Sequence, residues 1–87
     1  MGRDEKLIEK LLSIPSDFNW DEIVKVLSIF GFAERKTGKT GGSRRKFVNE
    51  RNRVISLHKP HPSNIVKRYA LKQVIDVLVN EGKISEK

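Results

Sequence analysis

The chain switches its hydrophobic period twice, and that switching limits the available folds more than any single residue does. Trp20, Ile23, Val24, Leu27 and Phe30 recur at the three- and four-residue spacing of a helix. Asn19 stands before them as a cap. Glu22, three residues on, completes a capping-box spacing, and Asp21 favours the positive end of the helix. Gly31 follows as a left-handed C′ residue. Leu71, Val74, Ile75 and Leu78 repeat the helical spacing near the other terminus, with Tyr69 near the start and Gly82 as the stop. Between these two stripes the pattern is that of strands. Residues 32–36, 43–49 and 54–57 read as three short strands, separated by the glycine-rich Thr37-Gly38-Lys39-Thr40-Gly41-Gly42 and by Arg51-Asn52. Connections this short pair strands antiparallel. Pro60 and Pro62 bracket His61 and keep that stretch extended before the last helix.

A shorter helix is expected over residues 4–13, where Leu7, Ile8, Leu11 and Leu12 form a narrow apolar stripe ended by Pro15. The order α-α-β-β-β-α predicts an α+β fold, a three-stranded antiparallel sheet with helices packed on one face. The other face of the sheet, or its loops, is left for function. Eighty-seven residues hold one core. Residues 1–16 read as a helical extension and residues 17–87 as the main domain, with Trp20 as the large anchor of the core.

The charge is unevenly placed. Between Glu34 and Arg53 stand Arg35, Lys36, Lys39, Arg44, Arg45, Lys46, Arg51 and Arg53, opposed only by Glu34 and Glu50. Eight cations against two anions leave +6 of the chain's net +7 in this one segment. A concentrated field of one sign draws in polyanions, which implies a surface for a phosphate backbone, RNA foremost. A basic patch that docks an acidic protein is the alternative. The chain has no cysteine, which removes disulfides and thiolate metal sites. No apolar run reaches membrane-spanning length and the first ten residues lack the apolar core of a secretion signal, so a cytoplasmic protein without membrane contact is expected.

Two stretches carry candidate chemistry. In Gly42-Ser43-Arg44-Arg45-Lys46-Phe47, glycine admits a phosphate close to the backbone, the Ser43 hydroxyl donates to it, and the arginines offer forked contacts. Gly42, Ser43, Arg44, Arg45 and Lys46, with Lys39 and Lys59, make up the expected RNA-binding set. Alternation along a strand puts Arg44 and Lys46 on one face and Ser43, Arg45 and Phe47 on the other. If Phe47 enters the core, Arg44 and Lys46 face the ligand and Arg45 snorkels at an edge. Gly38-Lys39-Thr40 is not the end of a nucleotide P-loop, since Ala33 stands where the leading glycine belongs and no parallel βαβ unit follows.

The second stretch is His58-Lys59-Pro60-His61-Pro62. Imidazole exchanges protons near neutrality, which suits cleavage of RNA by its own 2′-oxygen. That reaction needs a base, an acid and cations beside the phosphate, so His58, His61 and Ser43 are the candidate catalytic residues. His61 has a structural alternative, fixing the turn into the last helix. Two histidines three apart, without cysteine or a nearby acid, are a poor zinc set, and no metal or cofactor is expected.

Taken in order, Gly42-Ser43 with its basic run and Phe47, then Ile55-Ser56-Leu57-His58-Lys59-Pro60-His61-Pro62, then Lys67-Arg68-Tyr69-Ala70-Leu71-Lys72-Gln73-Val74-Ile75, resemble the HicA toxin family. The likeness runs from about Trp20 to Ile84. It implies a fold similar to the double-stranded-RNA-binding domain, metal-independent cleavage of messenger RNA, and a HicB antitoxin partner. In that family a catalytic histidine directly follows the glycine–serine pair, and here Arg44 holds that position. An arginine stays protonated and cannot serve as a base, although it can neutralise a phosphate. Either His58 or His61 takes over, or the chain binds RNA without cutting it, or toxicity has another basis.

Overall fold

A computed structural model of the chain describes residues 3–35, 44–60 and 63–84. The order is α1 (Arg3–Leu12), α2 (Trp20–Ile29), β1 (Ala33–Arg35), β2 (Arg44–Val48), β3 (Val54–His58) and α3 (Arg68–Asn80). The three strands form an antiparallel meander in the order β1-β2-β3. This is the α+β arrangement that the period switches predict. No helix among the described residues is long and apolar enough to cross a membrane.

The helix ends follow from local chemistry. The Asn19 side-chain oxygen accepts from the Glu22 backbone N–H at 2.9 Å, and the Glu22 carboxylate accepts from the Asn19 N–H at 2.9 Å. The capping box is complete. At the other end Gly31 takes φ +89°, the Phe32 N–H donates to the Leu27 carbonyl at 2.8 Å, and the Gly31 N–H donates to Ser28 at 3.0 Å. That pair of bonds is a Schellman motif. Helix α3 ends the same way, with Gly82 at φ +73°, Lys83 donating to Leu78 and Gly82 donating to Val79.

Helix α1 ends ahead of Pro15, as the sequence implies. Ile14, just before Pro15, is out of the right-handed helical region and sits at φ +50°, a left-handed conformation that strains a β-branched residue. Two interactions hold it there. Its side chain is half-buried against the core, and its carbonyl accepts from the Arg68 Nε at 3.1 Å.

The core lies between the helices and one face of the sheet. Ile23, Val26 and Leu27 of α2 meet Leu71, Val74 and Leu78 of α3 together with Phe47, Ile55 and Leu57 of the sheet. Trp20 lies against Phe47, ring centroids 5.9 Å apart and tilted by 55°. Helix α1 packs on α2 and α3 and buries Leu11 completely, so its stripe joins the core.

Glu22 also joins α1 to α2, since the Lys10 ammonium donates to both of its carboxylate oxygens at 3.1 and 2.9 Å. Partial burial pushes the Glu22 carboxyl up. The Asn19 N–H and the Lys10 charge outweigh that and hold it below the ordinary carboxylate value. A lowered folded value contributes stability above the unfolded carboxylate range, and this stability is lost as pH falls through the folded value. Thermal melts followed by circular dichroism against pH should therefore show Glu22→Gln less stable at neutral pH, with a shallower acid limb than the parent. Separately, Leu27→Ala should cost about 2–5 kcal/mol in urea unfolding, the usual range for a fully buried leucine.

Candidate nucleic-acid interface

The register of the sheet decides which side chains share its open face. Phe47 pairs with Glu34 on one side and Ile55 on the other, and Arg45 pairs with Leu57. These positions face the helices, because Phe47, Ile55 and Leu57 are buried. Their neighbours therefore face outward. Arg35 pairs with Lys46, Lys46 with Ser56, and Arg44 with His58. Three cations and one imidazole thus stand in adjacent rows on the uncovered face, and none of its described strand positions carries an acid. Among the described residues no acidic side chain pairs with Arg35, Arg44 or Lys46.

Arg45 faces the other way, as the alternation predicts. It lies at the edge of the helix-side face, with its Nε 3.2 Å from the Glu34 carboxylate. Arg51 and Arg53 belong to the turn at the far end of the β2–β3 hairpin from Arg44 and His58. Buried Asn49 builds that turn, its side-chain oxygen accepting from the N–H groups of Arg51 at 2.9 Å and Arg53 at 2.8 Å. Asn52 takes φ +65° to close it. Among the described residues, the sequence-contiguous cationic segment is therefore divided among three places.

Arg44 and His58 also form one wall of an open groove of ≈ 580 Å³ that wraps past β3 to the start of α3. Lys67, Tyr69 and Gln73 also line it, together with the buried Leu57 and Val66. Gln73 spans the gap, its side-chain amide donating to the Ser56 carbonyl at 3.4 Å. A short backbone pairing fixes the chain that leads into α3. Val66 donates to the Phe18 carbonyl at 2.7 Å, and Trp20 donates to the Asn64 carbonyl at 2.8 Å.

Of the residues picked from sequence, the structure brings Arg44, Lys46 and His58 together and sends Arg45 to the opposite face. Lys59 is exposed just beyond β3. Lys39, Gly42, Ser43 and His61 lie outside the described residues, as does the 37–42 loop. Sequence reasoning passed over Arg35, Ser56, Lys67, Tyr69 and Gln73 as site residues. Arg35 and Ser56 follow from register, and Tyr69 and Gln73 from their i, i+4 spacing on α3. Among the described residues no three His, Asp or Glu side chains gather as a metal site requires.

A two-layer domain with a cationic open sheet face is the class that fold and site define. The family described as "HicA toxin of bacterial toxin-antitoxin" matches residues 20–78, which is more than half of the chain, beginning where α2 begins. The chain belongs to the HicA toxin family, on the toxin side of a toxin–antitoxin pairing. No curated protein and no solved structure matches it.

Proposed function

We propose that this protein binds messenger RNA on the open sheet face and cleaves it without a metal ion, and that an antitoxin of the HicB type restrains it by covering that face. The observation that carries the reading is the pairing of Arg44 with His58 across β2 and β3, with Lys46 and Arg35 together in the next row of that face. A phosphate over Arg44 lies within reach of an imidazole, and the neighbouring phosphates of the strand find further cations.

The chemistry follows from those groups. His58 takes the proton of a 2′-hydroxyl while that oxygen forms a bond to the adjacent phosphorus. The bond from phosphorus to the 5′-oxygen breaks, and that oxygen receives a proton, leaving a 2′,3′-cyclic phosphate and a free 5′-hydroxyl. We assign the second proton transfer to His61, the chain's other histidine. Arg44 and Lys46 neutralise the charge that grows on the phosphate oxygens, Arg44 with a forked guanidinium contact. Ser43, beside Arg44 in sequence, supplies a hydroxyl to the same phosphate in this scheme, and Lys39, Gly42 and Lys59 extend the contact along the backbone.

Incubation of the purified protein with single-stranded RNA and a chelator tests cleavage. Fragments ending in cyclic phosphate should appear, and His58→Ala should slow their formation roughly a hundredfold or more. RNA left intact at high protein concentration would reduce the protein to an RNA-binding module. Filter binding tests the face itself. Arg44→Ala should weaken RNA binding and make its dependence on salt less steep, since one phosphate contact is lost. Unchanged affinity and unchanged slope would remove Arg44 from the interface.

A further inference from the structure

We infer that Tyr69 is a stacking platform for one unpaired base, so that the groove takes single-stranded RNA and discriminates against duplex. The inference rests on the RNA-binding reading above and adds the strandedness of the ligand and the residue that reads it.

Tyr69 is the most exposed large apolar side chain among the described residues, at 66 %. It is not a stray surface aromatic, for it lines the groove that holds Arg44 and His58. Its position is fixed by the helix beneath it. Leu71, Val74 and Leu78 anchor α3 in the core, and Gln73, one turn after Tyr69, is tied to the Ser56 carbonyl of β3. The ring thus stands on a helix anchored in the core and lines the same groove as Arg44.

The groove alternates two chemistries. Its lining carries the cations Arg44 and Lys67 and also the apolar Leu57, Val66 and Ala70. A single strand alternates in the same way, with a charged phosphate followed by a flat base that has an open π-face. Aromatic side chains beside a basic track are how proteins hold such strands, and stacking tolerates any base. In a duplex every base face is covered by its neighbour, so a tyrosine on a helix finds only the backbone. The phosphates alone would be served by lysine or arginine at position 69. A large exposed ring there gives a base something to cover.

The test uses the full chain and a short oligoribonucleotide carrying 2′-fluoro in place of the 2′-hydroxyl, which cannot be cut by its own 2′-oxygen. Fluorescence anisotropy is read for the single strand, the same strand annealed to its complement, and an abasic version. Tyr69→Ala should lose roughly tenfold in affinity for the single strand, within the range of one lost base stack. Tyr69→Phe should keep parental affinity, and the abasic strand should bind parent and Tyr69→Ala alike. Circular dichroism of each variant checks that the fold is intact. If Tyr69→Ala binds the single strand as the parent does while Arg44→Ala weakens it, stacking is overturned and the RNA-binding reading stands. Equal parental affinity for duplex and single strand likewise overturns the inference. If the parent binds none of the three oligonucleotides, both readings fall.

Discussion

The burial of Phe47 against Trp20 is the constraint on which the sheet and its open face depend. A strand has two faces and a period of two, so one residue committed to the core commits all its neighbours. With Phe47, Ile55 and Leu57 inward, Arg44, Lys46, Ser56 and His58 have only the outer face. A slip of one residue in β2 would turn Arg44 and Lys46 toward the apolar core, at a desolvation cost. Hydrophobic packing on one side of the sheet thus sets the spacing of charges on the other. The cationic face is held by the core, not by contacts among the cations, which repel one another.

The α3 side of the groove depends on the start of α2. Residues 18–20 are fixed by the capping box and by buried Phe18 and Trp20, and they pair with residues 64–66. That pairing delivers Lys67 and Tyr69 to the groove. Glu22 reaches from the same cap to Lys10, and Arg68 reaches from α3 to the strained Ile14 carbonyl. Helix α1, outside the matched family span, is thereby bonded to α2, and the segment that follows it is bonded to α3.

Much of this was legible in the sequence, for reasons that differ by element. Asn19 with Glu22, and Gly31 and Gly82, act through bonds a few residues long, so their pattern nearly determines the outcome. The meander was legible because its connections are short, and the outward placement of Arg44 and Lys46 followed once Phe47 was assigned to the core. Other features depend on contacts distant in sequence. Nothing near Ile65 announces a bridge to Asn19, and only the register reveals that Arg44 lies opposite His58. The charge count was misleading in one respect, because contiguity in sequence is not contiguity in space. Arg45 turns to Glu34, and Arg51 and Arg53 are carried to the far end of the hairpin.

On the proposed RNA-binding reading, the open sheet face and the Arg51–Arg53 turn are rival landing places. Amide chemical-shift mapping during titration with a single-stranded, 2′-fluoro oligoribonucleotide separates them most directly. The account predicts that shifts concentrate at Arg35, Arg44, Lys46, Ser56 and His58 and at the first turns of α3. Shifts confined to the turn built by Asn49, with the open face unmoved, would contradict it.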